Sequence, residues 1–308
     1  MKPLLIVVAV LAFGAIRLPL ERSLAAERLK AGLRDDAGAA MNLREQVNQA
    51  SLVALLGGLR SMAAAVWDLW ACSAWEKTNY AQVESDYAFC QHLQPRTFYY
   101  YDRGQWMMAY NAAHFFELQN DERGALNTLL RSAYTDKGMA MIQKGQRFLP
   151  NEPRLHEQEA VLYRDKIRPR QPEKEAAAWG RAAAAPGGPA YARRMQAYAM
   201  AHIPGKEADA EARLRELADA WTTAQRSDPP PPTLRNLLKI FELAREVKLN
   251  PASDLQQIYN QLRTIHDQSP PSRTPLLYDT LRTLEGRLKM PLPQRTPEPE
   301  PEPAIGTL

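Results

Sequence analysis

The stretch GGLRSMAAAVWDLWACSAW at residues 57–75 decides which kind of fold the chain adopts. Its length and apolar character fit either a membrane-spanning helix or the first packed helix of a water-soluble domain. A spanning helix would carry Arg60 and Asp68 through the bilayer, at a cost of roughly 2.5–3.5 kcal/mol for each central charge. Each leucine or valine offsets only a few tenths of a kcal/mol. The stretch is therefore predicted to lie in water, packed against other helices.

Helical periodicity over residues 59–75 places six residues near one apolar stripe and two further tryptophans beside it. Such a helix is predicted to be buried on more than one side, as in a stack where every helix has neighbours before and behind. Gly57 and Gly58 provide a hinge or a start before it. The stripe consists of Leu59, Met62, Ala63, Val66, Trp70 and Ala74, and the flanking tryptophans are Trp67 and Trp75.

The rest of the chain consists of runs with helical periodicity that end at proline or glycine. Alternating β-branched segments joined by Asn-Gly or Asp-Gly turns, the signals of strands, are absent from the sequence. The sequence therefore predicts an all-α domain over residues 51–290. The expected helical runs are 79–93, 97–118, 122–148, 154–167, 172–184, 189–202, 206–226, 232–248, 252–267 and 274–289.

The spacing of comparable residues favours a tetratricopeptide-like (TPR-like) α-solenoid of antiparallel helix pairs. The intervals from Pro153 to Pro189 and from Tyr163 to Tyr198 lie close to the helix-turn-helix period of about 34 residues. Ala160 and Tyr163 also occupy the small and aromatic positions that such a unit needs on its first helix. An irregular helical bundle would show the same punctuation and stays open as an alternative.

The two ends of the chain differ from the body. Residues 1–22 are predicted to form one N-terminal transmembrane helix, an uncleaved signal-anchor, because the apolar residues 4–16 lie between Lys2 and Arg17. Residues 23–50 are predicted to be a juxtamembrane helix or linker. In residues 291–308 proline alternates with glutamate, which predicts a disordered tail. We expect a single-pass protein of a bacterial cell membrane.

The orientation of the predicted span is contested by two signals. The excess of basic residues after it argues for a cytoplasmic body. A signal-anchor at the extreme N-terminus more often exports the chain that follows, so we expect an extracytoplasmic body against that charge count. The basic residues concerned are Arg17, Arg22, Arg28, Lys30 and Arg34.

Charge, cysteine and histidine patterns give no support for nucleic-acid binding, metal binding or catalysis. The 39 basic and 35 acidic residues are intermixed, as on a solvated surface. Cys72 and Cys90 lack metal-ligand spacing, and one bridge between neighbouring helices stays open. Five histidines fall in separate runs and are expected at the surface. No phosphate-binding loop or catalytic motif occurs, so we expect no cofactor and no enzymatic activity.

Aromatic residues are concentrated between Trp67 and Phe116, and most are expected to pack the first two helix pairs. Three successive tyrosines at 99–101 cannot all face one core, because neighbouring helical side chains point about 100° apart. One or two of them are expected at an exposed surface, where Tyr, Trp and Arg favour partner contact. The candidate partner-binding residues are Tyr100, Tyr101, Arg103 and Arg96.

Short motifs within residues 1–170 carry a family resemblance. They are LREQ at 43–46, GGLRSMAAAVWDLWA at 57–71, WEK at 75–77, LQPR at 93–96, WMMAYNAA at 106–113 and LYRDK at 162–166. Together with the N-terminal span, they resemble a group of uncharacterised membrane-anchored tetratricopeptide-like proteins of Verrucomicrobia and Planctomycetes. The resemblance implies a helical-repeat fold beside the membrane and brings no known activity.

The expected function is a membrane-tethered helical-repeat scaffold for protein–protein interaction in a bacterial cell-envelope assembly. Its expected partners are proteins, and self-association through the opening aromatic helix would make a homo-oligomer. The alternative is a helical-bundle enzyme or ligand carrier that acts on an envelope polymer. That alternative requires a cleft in which carboxylates such as Asp86, Asp102 and Glu117 converge with the tyrosines.

Overall fold

The computed structural model describes residues 60–118, 124–224, 228–250, 254–292 and 295–297. The chain divides into an N-terminal unit, residues 1–158, and a C-terminal unit, residues 159–308. All regular elements in the described ranges are helical, and none of these residues lies in a strand. This confirms the all-α prediction.

The N-terminal unit begins, within the described residues, with a helical hairpin. Its first helix packs on the second, the second on the third, and the long fifth helix packs on the third, the fourth and the π-helical segment between them. The elements are α1 (Arg60–Glu76), α2 (Tyr80–Leu93), α3 (Phe98–Gln105), the π-helical segment (Trp106–Ala112), α4 (Ala113–Glu117) and α5 (Gly124–Phe148). Helix α6 (Pro153–Asp165) contains the boundary between the units.

The C-terminal unit is built from helices that each pack on the next one along the chain. They are α7 (Pro172–Ala184), α8 (Ala190–Met200), α9 (Glu207–Thr223), α10 (Pro232–Leu249), α11 (Leu255–Gln268) and α12 (Pro275–Arg287), with a short 3-10 turn at Pro270–Ser272. Small side chains form the contact between α7 and α8, where Ala178, Ala182, Ala192 and Ala199 are buried beside Trp179. Larger aliphatic residues of α10, α11 and α12 form the second apolar cluster of this unit.

Helix starts follow the punctuation of the sequence. The Asn79 side chain accepts a hydrogen bond from the Gln82 amide at 3.2 Å, and the Asp254 side chain accepts one from Gln257 at 3.0 Å. Such caps satisfy amides that have no partner within the helix. Pro172, Pro232 and Pro275 occupy first-turn positions, where the missing amide costs nothing. The predicted helical runs are confirmed, and their ends differ from the observed ends by only a few residues.

Helix α1 faces its neighbours with alanines, which corrects the predicted apolar stripe. Ala63, Ala64, Ala71 and Ala74 are buried, whereas the stripe residues Met62, Val66 and Trp70 are exposed. The physical reason is close approach, because small side chains at the contact reduce the distance between two helix axes. The Cys90 thiol on α2 donates a hydrogen bond to the Ala64 carbonyl at 3.3 Å.

Glycines on α5 allow an equally close approach to α3 and the π-helical segment. A Cβ atom added at Gly138 would lie 2.6 Å from Ala109 Cβ and 3.1 Å from Gln105 O. One added at Gly145 would lie 2.8 Å from Tyr101 Cγ. Because Gly138 and Gly145 have no side chains, α5 can lie directly against α3 and the π-helical segment.

The predicted N-terminal span and the juxtamembrane region, residues 1–22 and 23–50, lie outside the described residues, as does most of the predicted tail at 291–308. Within the described part of that tail, the Thr296 amide and hydroxyl donate hydrogen bonds of 2.7 and 2.6 Å to Glu285 Oε1 on α12. None of the helices in the described ranges has the length and apolar character needed to cross a bilayer.

Candidate partner-binding surface

Four side chains form one stripe along α3 and the π-helical segment: Tyr99, Arg103, Trp106 and Tyr110. Their spacing of four, three and four residues is the spacing that places helical side chains on one face. We call this set the aromatic stripe. Tyr99 and Trp106 are exposed, at 47% and 46%, and Arg103 and Tyr110 are half-buried beside them.

The lower part of the aromatic stripe is a stacked pair. The rings of Trp106 and Tyr110 lie 4.4 Å apart between centroids, with only 15° between their planes. Ring contacts of this kind add about 0.5–1.5 kcal/mol beyond the area they bury. The pair therefore offers a flat apolar surface that loses little side-chain freedom when a partner covers it.

The upper part of the stripe is held in place by Asp68 of α1. Tyr99 donates its hydroxyl hydrogen to Asp68 Oδ2 at 3.0 Å, and the fully buried Tyr87 of α2 donates to Asp68 Oδ1 at 2.9 Å. One carboxylate thus joins α1, α2 and α3. Burial, followed by the hydrogen bond to Asp68, raises the pKa of Tyr99 to about 12, and burial also raises the pKa of Tyr87.

Arg103 lies between these tyrosines. Burial works against the charged form of its guanidinium, but a hydrogen bond to Tyr87 and the neighbouring phenols of Tyr87 and Tyr99 raise its pKa. Arg103 therefore stays charged within the aromatic stripe, between Tyr99 and Trp106. Arginine, tyrosine and tryptophan are the residue types enriched at the energetically most important positions of protein interfaces.

The π-helical segment lies under the aromatic stripe and packs on α5. The Ala113 amide donates to the carbonyl of Met108, five residues back, which is the π-helical pattern. Met107, Met108, Ala109 and Ala112 of this segment are buried, so the inner side is closely packed while Trp106 faces outward. Single π-helical turns inside α-helices occur frequently at functional sites.

The exposure predicted for Tyr100 and Tyr101 is wrong. Tyr101 is fully buried, where its hydroxyl donates to the Pro95 carbonyl at 3.0 Å and its ring fills the space beside Gly145. Tyr100 is buried with its ring edge against Tyr99, 5.3 Å between centroids. Because α3 turns its inner face toward α5, Tyr99 takes the one exposed place among the three tyrosines.

Of the two arginines predicted from the sequence, one belongs to the aromatic stripe. Arg103 lies in it, and Arg96 is exposed on the connection before α3. Sequence reasoning missed Tyr99, Trp106 and Tyr110 as a set. Their spacing across 99–110 was the signal that could have identified them.

Comparisons with protein-family models, with curated proteins and with solved structures gave no match. The resemblance to membrane-anchored tetratricopeptide-like proteins therefore stays a prediction.

The three carboxylates of the alternative enzyme hypothesis lie in different surroundings. Asp86 is buried beside Gln82, its pKa raised by burial. Burial likewise raises the pKa of Asp102 on α3, against the hydrogen bond from Gln105. Glu117 is exposed and pairs with His114 at 3.5 Å. No hydrogen bond or ion pair within the described ranges joins Asp86, Asp102 and Glu117 to one another.

The cysteines and two of the histidines have the following surroundings. Cys72 and Cys90 are free thiols, and burial raises the pKa of Cys90 to about 12, so its thiol stays protonated. His156 and His266 are buried, which corrects the expectation of surface histidines; His156 Nδ1 lies 3.2 Å from the Gln146 amide nitrogen. Among the residues that the structure describes, no group of three potential ligands could hold a metal ion.

Proposed function

We propose that this chain is a non-enzymatic helical-repeat scaffold, tethered to a bacterial cell membrane by residues 1–22, that binds a protein partner through the aromatic stripe. The observation that carries the proposal is the Tyr99–Arg103–Trp106–Tyr110 set, with Tyr99 and Trp106 exposed, on a helix whose opposite side is packed. Tyrosine and tryptophan side chains that are already held by packing lose little conformational freedom when a partner covers them.

The distribution of exposed apolar residues supports a contact in the N-terminal unit. Of the exposed large apolar side chains in the described ranges, ten belong to this unit and three to the C-terminal unit. Apolar side chains that gather on one part of a surface mark interaction sites more often than scattered ones. The sequential packing of helices within each unit is the arrangement expected of a TPR-like solenoid, which is the finer fold that we propose.

A photocrosslinking amino acid at position 106 of the full chain, in its native membranes, tests the proposal. We expect one protein adduct of defined mass, and a several-fold lower yield when Tyr110→Ala removes the stacked partner. The matched control carries the same amino acid at Tyr191 on α8, an exposed aromatic of the C-terminal unit. Equal adduct patterns from positions 106 and 191 would show that the aromatic stripe is not a specific surface.

A further inference from the structure

Arg103 is held in the aromatic stripe by side chains of two neighbouring helices. Helix α2 packs on both α1 and α3. The guanidinium of Arg103 on α3 lies within hydrogen-bonding reach of Tyr87 on α2 and Cys72 on α1. Tyr87 in turn donates to Asp68 of α1 at 2.9 Å. A guanidinium held in this way loses little side-chain freedom when it binds a further group.

The positive charge of Arg103 forms no ion pair with a carboxylate in the described part of the chain. Two acidic residues near it are engaged with other groups. Asp102 accepts a hydrogen bond from Gln105, and both oxygens of Asp68 accept hydrogen bonds from tyrosine hydroxyls. The buried Nε–H of Arg103 also finds no acceptor among the described residues. Arg103 therefore has hydrogen-bonding capacity that the described residues do not use.

We propose that Arg103 pairs with a carboxylate of the protein partner, and that the aromatic stripe therefore selects a partner segment in which an aspartate or glutamate lies between apolar residues. This pairing rests on the proposed function, because it specifies the chemistry of the partner that the stripe binds. Arg103 lies four residues after Tyr99 and three before Trp106, so two exposed rings flank it. Apolar groups around a charged pair exclude water and strengthen its hydrogen bonds.

Charge favours a carboxylate over the other groups that could meet Arg103. The planar fork of arginine matches carboxylate and phosphate alike. The negative charge of nearby Asp68 repels a phosphate ester, which carries about −1.5 to −2 charges, more strongly than a carboxylate, which carries one. A cationic partner group is disfavoured, because it would meet the charge of Arg103 and find both Asp68 oxygens bonded to tyrosine hydroxyls.

The salt dependence of photocrosslinking tests the pairing. The full chain with the photocrosslinking amino acid at position 106 is irradiated in its native membranes at about 50 mM and about 500 mM NaCl, because salt screens ion pairs near a surface. We expect the higher salt to lower the yield of the protein adduct several-fold. Arg103→Gln should lower the yield several-fold at low salt and make it nearly independent of salt. Arg103→Lys keeps the charge but lacks the planar fork, so it should restore only part of the yield.

A control variant and the identity of the crosslinked segment complete the experiment. Arg147→Gln, at an exposed position of α5, should leave both the yield and its salt dependence unchanged. Mass spectrometry of the adduct should place an aspartate or glutamate of the partner within a few residues of the crosslinked position.

Several outcomes would overturn the pairing. If position 106 gives no protein adduct in the chain that keeps Arg103, the proposed function is wrong and the pairing with it. If an adduct forms but Arg103→Gln leaves its yield and salt dependence unchanged, the pairing alone is wrong. A yield that Arg103→Gln lowers without changing its salt dependence would show that Arg103 only supports the neighbouring rings. A phosphorylated residue in the crosslinked segment would assign Arg103 to a phosphate instead.

Discussion

Tyr99 of α3 donates its hydroxyl hydrogen to Asp68 of α1 across 3.0 Å, so an exposed ring of the aromatic stripe is oriented by a neighbouring helix. Asp68 is one of the two charges that argued against a membrane span at residues 57–75. Its position explains why α1 carries a carboxylate within its apolar middle, since Asp68 accepts hydrogen bonds from two tyrosines that would otherwise lose their partner.

Removal of the Asp68 carboxylate is predicted to destabilise the fold far more than removal of one tyrosine hydroxyl. Asp68→Leu leaves the buried Tyr87 hydroxyl without its acceptor and is expected to cost about 1–3 kcal/mol of unfolding free energy. Tyr99→Phe removes only a partly exposed bond and should cost less than about 1 kcal/mol. Urea unfolding of the two variants measures the difference, and equal costs would contradict this account of Asp68.

Tyr99→Phe is also predicted to change the response to alkaline pH. The pKa of Tyr99 is raised to about 12 in the folded chain, from about 10 in the unfolded one. A raised pKa means that the stabilisation is complete below pH 10 and is lost as the pH rises toward 12. Urea midpoints between pH 9 and 11.5 should therefore fall less steeply in Tyr99→Phe than in the unchanged chain.

Gly138→Ala is predicted to separate α5 from the π-helical segment. The added methyl group meets Ala109 Cβ at 2.6 Å and the backbone at 3.1 Å, so one helix must move, at a cost of about 1–3 kcal/mol. Gly286→Ala on α12 is the control, because nothing lies within 4 Å of its added Cβ. Gly286→Ala should raise the free energy of unfolding by about 0.5–1 kcal/mol. A scan of thermal unfolding that shows both variants stabilised would refute the close contact.

The sequence predicted the helices well because proline, glycine and capping residues act locally. Asn79 and Pro172 begin their helices through their own backbone and side-chain chemistry, whatever the helix later contacts. Which face turns inward was predicted less well. On α1 the alanines, not Met62 or Trp70, face α2, since burial there depends on how closely the partner helix approaches.

The sequence also failed to predict which face of α3 is exposed, because that too depends on the position of a neighbouring helix. Tyr99 and Tyr101 are chemically identical, and only the direction of α5 decides which one is exposed. The π-helical pattern from Trp106 to Ala112 further shifts the side chains that follow it. Residue periodicity predicts neither the position at which α5 packs nor a hydrogen bond between residues five apart.

Arg170→Met is predicted to be strongly destabilising at neutral pH. Glu175 is almost fully buried and accepts hydrogen bonds from Arg170 Nη2 at 2.8 Å and Nε at 3.1 Å. Removal of the cation leaves a buried charge, which costs about 3 kcal/mol or more. Burial raises the pKa of Glu175, so the cost should shrink at acid pH as the carboxyl takes up a proton. Glu175→Gln in the Arg170→Met background should restore part of the urea midpoint at pH 7.

His202 is predicted to make the C-terminal unit sensitive to mild acid. Burial, and then the positive charge of Arg170, lower the pKa of His202 to about 4, although Nε2 lies 3.3 Å from the Pro271 carbonyl. The unfolded chain takes up this proton near pH 6.5, whereas the folded chain resists it down to about pH 4. The stabilisation is therefore complete above pH 6.5 and decreases as the pH falls toward 4. His202→Gln should flatten the dependence of the urea midpoint on pH between 6.5 and 4.5, relative to the unchanged chain. The same slope in His202→Gln and in the unchanged chain would show that His202 is protonated as readily in the folded chain as in the unfolded one.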